Sequence, residues 1–130
     1  MKFLIVDRSP EIRASIKKII NSDKQEHHTT EVANYDDASL CLYNLSPDYV
    51  IIDLDCLYSD GLMLLKASLA MLPAVRVFLF TEFNKIIEKD KLIDLGAVKI
   101  FSKSTDIENF IKELSAVFNS DVNTEMLCNS

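Results

Sequence analysis

The chain has 130 residues, of which 48% are hydrophobic, and 20 acidic against 14 basic side chains give a formal net charge of −6. This length suits one domain with a sizeable core, and this hydrophobic content excludes a disordered segment. The acidic balance argues against a nucleic-acid-binding surface. No apolar run is long enough to span a bilayer, and the first residues are too few for a signal peptide. We therefore expect a cytoplasmic domain without membrane contact, and the three scattered cysteines argue against a disulfide framework.

The first β–α unit is predicted at the N-terminus. The apolar run Phe3–Val6 is typical of a short buried strand, and it ends at Asp7. Ser9 suits a helix N-cap, with Pro10 at the first helical position. Isoleucines then recur at helical spacing along one side of the predicted helix. The basic residues on its other side are Arg13, Lys17 and Lys18.

Four further strands are predicted from runs of apolar and β-branched residues. They are Thr29–Ala33, Tyr49–Asp53, Val75–Phe80 and Val98–Phe101. The polar stretch before the second strand predicts a loop in which His27 and His28 are solvated.

Helices are predicted between and after these strands. Asp36 and Asp37 can cap the second helix, and a loop that closes on Asp60–Gly61 precedes the third. A fourth helix is predicted from Asn84 to Leu95, with Gly96 as its C-terminal cap. A fifth begins at the capping-box pattern of Thr105 and Glu108 and reaches Phe118. The polar stretch 119–130 is expected to be a tail or the start of a linker, which leaves one domain over 1–118.

This alternation of strands and helices predicts an α/β fold. Continuous apolar strands require burial on both faces, so we expect a doubly wound, five-stranded parallel sheet with five helices. Right-handed crossovers in the flavodoxin-like order 2-1-3-4-5 make strands one and three neighbours at the switch point.

Polar side chains collect at the carboxyl ends of the predicted strands. Asp7 ends strand one, Asp53 ends strand three, Thr81 follows strand four and Lys103 follows strand five. Acids on neighbouring strands can share a hard divalent cation, which leaves a carboxylate able to attack phosphorus. A lysine and a hydroxyl can hold phosphoryl oxygens. These residue types favour phosphoryl transfer to Asp53.

Four segments in this order resemble the receiver domain of bacterial two-component response regulators, and in particular the single-domain chemotaxis regulators. They are FLIVDRSPEIR, VIIDLDCLYSDGLMLL, VFLFTE and LGAVKIFSK. The resemblance implies that Asp53 accepts phosphate from a histidine kinase or phosphotransfer protein, while Thr81 and Lys103 hold the phosphoryl group. It also implies that Asp7, Asp53 and the backbone carbonyl of Asp55 bind Mg²⁺. It implies a signalling module rather than an enzyme, which acts on a downstream protein or a fused output domain and can form homodimers.

Among the positions that depart from the family's pattern, three bear directly on the predicted site and its switch. Arg8 stands where the family has a second acid that binds the metal directly, so we expect weaker Mg²⁺ binding. Glu82 follows Thr81 where a small residue normally leaves room for the phosphodonor. Ile100 replaces a switching aromatic residue and cannot supply a tyrosine hydroxyl.

Two other functions remain open at this point. The same fold can act as a phosphorylation-independent pseudo-receiver, in which Arg8 pairs with Asp53 or Asp55. The pair Asp53 and Asp55 also resembles the nucleophile and acid of haloacid dehalogenase phosphatases. The position of this pair on strand three, rather than near the N-terminus, argues against that enzyme.

Overall fold

The computed structural model describes residues 1–23, 25–54, 58–81, 91–101, 109–110 and 112–116, with only the backbone at 58 and 59. The strands are β1 (Lys2–Val6), β2 (His28–Val32), β3 (Tyr49–Asp53), β4 (Arg76–Phe80) and β5 (Lys99–Phe101). The helices are α1 (Pro10–Asn21), α2 (Tyr35–Leu45) and α3 (Tyr58–Met71). Helical residues also occur at 91–94, 109–110 and 112–116, where the fourth and fifth helices are predicted.

The strands form one parallel sheet in the order β2-β1-β3-β4-β5, as predicted. β1 pairs with β3 so that Val6 lies opposite Ile52. β3 pairs with β4 so that Asp53 lies opposite Phe80. This order makes β1 and β3 neighbours and brings their carboxyl ends to the same edge of the sheet.

Alternate strand residues separate the core into two layers, because successive side chains point to opposite faces of the sheet. One layer is aliphatic and packs against α2 and α3; its strand members are Leu4, Val6, Val50, Ile52, Val77 and Leu79. The other layer packs against α1 and the helical residues at 109–116 that the structure describes. It is rich in aromatic rings: Phe3, Tyr49, Phe78, Phe80, Phe101 and Phe110. Both faces are covered, which explains the uninterrupted apolar strands.

The predicted start of α1 is confirmed. Ser9 is the N-cap in extended conformation, its hydroxyl accepts a hydrogen bond from the Ile12 amide, and Pro10 begins the helix. The missing N–H of proline costs nothing here, because the first amides of a helix have no partner within it.

Two other helix starts were wrongly predicted. Asn34, rather than Asp36 or Asp37, caps α2, and its side chain accepts a hydrogen bond from the Asp37 amide. α3 begins at Tyr58, so Gly61 lies inside the helix rather than in a loop. A Cβ at Gly61 would lie 2.7 Å from a methyl carbon of Leu54, so close packing onto the end of β3, and not a turn, accounts for this glycine.

The predicted cap at Gly96 is confirmed. Gly96 has a φ of +110°, its amide donates to the Ile93 carbonyl, and the Ala97 amide donates to the Leu92 carbonyl. This pair of bonds is the Schellman arrangement that closes a helix with a left-handed residue. Most of the predicted fourth helix, the start of the fifth and the tail 119–130 lie outside the described residues.

The prediction for His27 was wrong. Its side chain is only 1% exposed, and Nε2 lies 2.7 Å from Asp23 Oδ2. Its ring packs edge-on against Phe3 in the aromatic layer. Hydrophobic contacts with β1, which the local sequence does not show, explain this burial. In the part of the chain that the structure describes, no helix has the length and apolar character needed to cross a membrane.

Replacing Gly96 with alanine is expected to lower the free energy of unfolding by about 1–2 kcal/mol, because a left-handed backbone is costly for a residue with a Cβ. That Cβ would also lie 2.5 Å from a Leu69 methyl carbon. Urea unfolding followed by circular dichroism measures the change. Gly61→Ala is the matched control, since its Cβ would meet a Leu54 methyl carbon at a similar distance, 2.7 Å, while its backbone is not left-handed. An equal loss in both variants would contradict the conformational argument.

Candidate functional site

Asp7 and Asp53 lie next to each other at the carboxyl edge of the sheet. Asp53 is the last residue of β3, and Asp7 directly follows β1. Since Val6 is opposite Ile52, the next positions along the two strands are Asp7 and Asp53. Their exposed fractions are only 3% and 1%. The structure therefore brings these two predicted carboxylates together in a buried position.

The local contacts of Asp7 fix both its backbone and its side chain. Its amide donates to the Val32 carbonyl at the end of β2, at 3.1 Å. Its Oδ1 accepts from the Ser9 amide at 2.8 Å, and its carbonyl accepts from Arg13 Nη1 at 2.6 Å. The sequence predicted only that Arg13 lies on the basic side of α1, opposite the isoleucines. Only its spacing of six residues from Asp7 could have suggested this contact.

Thr81 lies at the same edge of the sheet. It directly follows β4, whose last residue, Phe80, is opposite Asp53, and it is 4% exposed. Its amide donates to the Phe101 carbonyl of β5 at 2.9 Å, and the Leu54 amide donates to the Phe80 carbonyl at 2.9 Å. These bonds join the ends of β3, β4 and β5 rigidly. We call the carboxyl edge of the sheet, where Asp7, Asp53 and Thr81 lie, the rim. Three of the four predicted site residues therefore stand together; the fourth, Lys103, lies outside the described residues.

Arg8 and Ile100, two of the residues that depart from the family pattern, differ in their exposure and contacts. Arg8 is exposed and forms no hydrogen bond or ion pair with any residue that the structure describes. Its suggested pairing with Asp53 is therefore wrong, while the suggested pairing with Asp55 lies outside the described residues, as does Glu82. Ile100 is partly buried and packs against the aliphatic layer.

The donor set at the rim fits a hard divalent cation. Carboxylate oxygens are the ligands that Mg²⁺ prefers, and this ion commonly uses one or two carboxylates and keeps several waters. Asp7 and Asp53 supply two such groups in a buried place, where a cation offsets their mutual repulsion. Across the described ranges, no group of three or more His, Cys, Asp or Glu side chains forms a fuller site.

Comparison with known proteins identifies the family. The sequence model of the response regulator receiver domain matches residues 3–115. The chain belongs to this family. Receiver domains are the phosphoryl-accepting modules of two-component signalling and are generally not enzymes, so the phosphatase alternative is not favoured.

The chain is similar to curated proteins of different lengths. The chain is 29% identical to sporulation initiation phosphotransferase F of Bacillus subtilis over 107 residues, which cover 82% of the chain and 85% of that protein. It is 25% identical to a nitrate/nitrite response regulator protein homolog of Haemophilus influenzae over 122 residues, or 94% of the chain. It spans only 59% of the length of this second relative.

Solved receiver structures share the fold. The signal receiver domain of a DNA-binding response regulator from Colwellia psychrerythraea superposes with a TM-score of 0.82 at 18% identity, covering 92% of this chain and 98% of the other. The Mn²⁺-bound response regulator Rcp1 superposes with a TM-score of 0.73 at 15% identity, covering 89% and 90%. At these identities the likeness concerns the fold alone.

A separate cavity of about 330 Å³ lies at the opposite, amino edge of the receiver's sheet. It is bordered by the first residues of β1 and β2 and by Cys41, Leu45 and Pro47. It is lined by none of the residues at the carboxyl edge, so it is not part of the candidate site of Asp7, Asp53 and Thr81. Burial, with a smaller contribution from the nearby Asp37 carboxylate, raises the pKa of the Cys41 thiol above its usual value.

Because the pKa of Cys41 is raised, its reactive thiolate fraction near neutral pH is expected to be smaller than that of an ordinary cysteine. In a Cys56→Ser/Cys128→Ser background, the rate of alkylation by iodoacetamide should rise with pH and reach half its maximum above pH 9.0, the ordinary value. Asp37→Asn removes the smaller, charge-based cause and should move this midpoint downwards, although burial remains. A midpoint at or below the ordinary value would contradict the assigned environment.

Proposed function

We propose that this receiver domain accepts a phosphoryl group on Asp53 from a histidine kinase or a phosphotransfer protein. The observation that carries the proposal is the register of β1, β3 and β4, which puts the Asp53 carboxylate between Asp7 and Thr81 at one buried rim. An acceptor at this edge of an open α/β sheet can be reached from outside the strands.

The reaction is a displacement at phosphorus. An Asp53 carboxylate oxygen forms the new O–P bond while the P–N bond of the donor phosphohistidine breaks, and the leaving imidazole keeps the electron pair of that bond. The Thr81 hydroxyl can donate a hydrogen bond to a phosphoryl oxygen, and Lys103 can add a point charge. When Mg²⁺ is bound by Asp7, Asp53 and Asp55, it offsets the negative charge on the phosphoryl oxygens.

The rim provides a route for the signal to leave the site. Thr81 is tied to β5 through its amide bond to Phe101, so a shift of Thr81 toward a phosphoryl group acts on β5 directly. Nearby, the exposed side chains of Ile93, Leu95 and Val98 offer apolar surface for a partner. Ile100, on β5, is aliphatic, so this switch operates without a tyrosine hydroxyl. The phosphorylated state thus favours one arrangement of this surface.

The partners follow from the same proposal. The chain covers just over half of its nitrate/nitrite relative, which is consistent with either a downstream protein or a fused output domain as the target. In this proposal residues 1–118 form the receiver domain, and residues 119–130 form a tail or a linker. The receiver can also form homodimers. We expect the domain to act in the cytoplasm. The net charge of −6 argues against direct contact with nucleic acid.

Arg8 and Glu82 tune the site in this proposal. The exposed guanidinium of Arg8 stands near the acidic pair in sequence and replaces a ligand acid, which weakens Mg²⁺ binding. Glu82 adds a negative charge after Thr81 and slows the approach of anionic donors. Because Arg8 does not pair with Asp53, it does not block the acceptor, and the pseudo-receiver alternative is not favoured.

Added Mg²⁺ is expected to stabilise the wild-type protein against urea, because a ligand that binds only the folded state adds free energy of unfolding. The gain should be about 2.7 kcal/mol at a concentration one hundred times Kd. Asp7→Asn should lose this gain. Asp36→Asn, which removes the same charge from the exposed start of α2, should keep it. Equal responses of Asp7→Asn and wild type would exclude Asp7 as a ligand.

Acetyl phosphate with Mg²⁺ is expected to phosphorylate the wild type, as followed by intact-mass spectrometry. Asp53→Asn should abolish the product, since an amide cannot act as the nucleophile. Arg8→Asp restores a ligand acid and should lower the Mg²⁺ concentration needed for half-maximal phosphorylation by roughly tenfold.

Absence of phosphorylation in the wild type at every Mg²⁺ concentration would contradict the proposed function. A product that persists in Asp53→Asn would instead move the acceptor to another residue. A Glu82→Ala variant, run beside the wild type, should be labelled faster by the anionic donor.

A further inference from the structure

Arg13 joins three elements of the fold at the phosphoryl site. It lies on α1, and its Nη1 donates to the Asp7 carbonyl at 2.6 Å. Its Nε lies 3.5 Å from Glu31 Oε1 on β2, an ion pair without hydrogen-bond geometry. The guanidinium therefore bridges α1, the loop after β1 and the edge strand β2.

Three contacts of Asp7 with described residues hold it in place, and of these three the contact with Arg13 uses the side chain of another residue. The Asp7 amide bonds to the Val32 carbonyl, and Asp7 Oδ1 accepts from the Ser9 amide. Backbone amides make both of these bonds, so most sequences could form them. The Asp7 carbonyl, in contrast, accepts from the guanidinium of Arg13, so this bond depends on the side chain at position 13.

Burial makes this contact directional. The Arg13 side chain is 17% exposed, whereas the Lys17 side chain, one turn later, is 45% exposed and lies 3.7 Å from the other Glu31 oxygen. A largely buried guanidinium needs acceptors in fixed places, and its planar fork can reach Asp7 and Glu31 at once. Lysine cannot reproduce that geometry with its single ammonium group.

We propose that Arg13 is a positioning residue for the metal-binding carboxylate of Asp7, and that Glu31 holds Arg13 in place. This inference deepens the proposed function, since it assumes that Asp7 binds a divalent cation. The partners that orient a ligand are known in general to affect metal affinity strongly, with typical losses of about tenfold to a hundredfold when they are removed.

An electrostatic role and a positioning role of Arg13 predict opposite changes in Mg²⁺ affinity when its side chain is removed. Removing a positive charge close to two carboxylates should tighten the binding of a cation. Loosening the loop that carries Asp7 should weaken it, because an oriented ligand is lost. The sign of the change in Mg²⁺ affinity therefore distinguishes a positioning role from a purely electrostatic one.

The test measures the Kd of Mg²⁺ by isothermal titration calorimetry on the full chain, with Mn²⁺ titrations followed by electron paramagnetic resonance as a check. Arg13→Ala is expected to raise Kd by about tenfold, and Arg13→Lys by an intermediate amount. Lys17→Ala is the matched control: it removes the same charge from the same helix and the same Glu31 contact, but it does not touch Asp7. Its Kd should stay within about twofold of the wild type.

A second readout needs no metal. Amide hydrogen exchange at Asp7 and Ser9, followed by NMR, should be faster in Arg13→Ala than in Lys17→Ala, because the loop opens more often. Arg13→Lys, which keeps the charge and suits a helix, supplies a folded variant if alanine disrupts α1.

Two results would overturn the proposal. The first is that the Arg13 variants bind Mg²⁺ as tightly as Lys17→Ala does, or more tightly. The second is that amide exchange at Asp7 and Ser9 is the same in Arg13→Ala as in Lys17→Ala. If either result were found while the wild type still bound Mg²⁺ and was phosphorylated by acetyl phosphate, the proposed function would remain intact. If the wild type bound no cation, the role of Asp7 in the proposed function would fail instead, and the exchange rates would decide whether Arg13 holds the loop.

Discussion

The burial of two carboxylates beside each other is the constraint on which this site depends. Parallel pairing of β1 with β3 brings Asp7 and Asp53 to adjacent positions, and the helices on both faces remove water from around them. Like charges in such a place repel, and the cost falls when a cation or hydrogen-bond donors face them. The rim therefore favours ligands that carry positive charge. A phosphoryl group can be accommodated there when a divalent cation binds with it and offsets its negative charge.

The rest of the fold keeps this rim rigid. Alternate strand residues fill an aliphatic layer on one face and an aromatic layer on the other, so the sheet cannot shift along either face without breaking close packing. The backbone bonds from Thr81 to Phe101 and from Leu54 to Phe80 tie the strand ends together. The aromatic layer also buries His27 against Phe3, far from the rim. A movement at Thr81 can thus reach β5, while the positions of Asp7 and Asp53 are preserved.

Arg8 and Arg13 show how two arginines near one site can differ in burial and contacts. Arg8 stands in the loop beside Asp7 and extends into solvent, where water and salt screen its charge. Arg13 comes from the helix, is largely buried and contacts the Asp7 backbone. Sequence distance from Asp7 would rank their importance in the opposite order. Burial and geometry, rather than proximity along the chain, decide which of them contacts Asp7.

The sequence by itself determined the class of fold, the strand order and the edge at which Asp7, Asp53 and Thr81 meet. Apolar runs, helical spacing and capping residues such as Ser9 and Gly96 are local signals, and parallel sheets permit few arrangements of alternating strands and helices. Only the tertiary structure decided that Gly61 packs inside α3, that Asn34 caps α2, that His27 is buried and that Arg13 reaches the Asp7 carbonyl. The burial of His27 depends on Phe3, which is far away in the chain. The other three contacts join residues that are close in sequence, but they form only where each helix begins at a particular residue and packs on the sheet, which residue spacing alone does not encode.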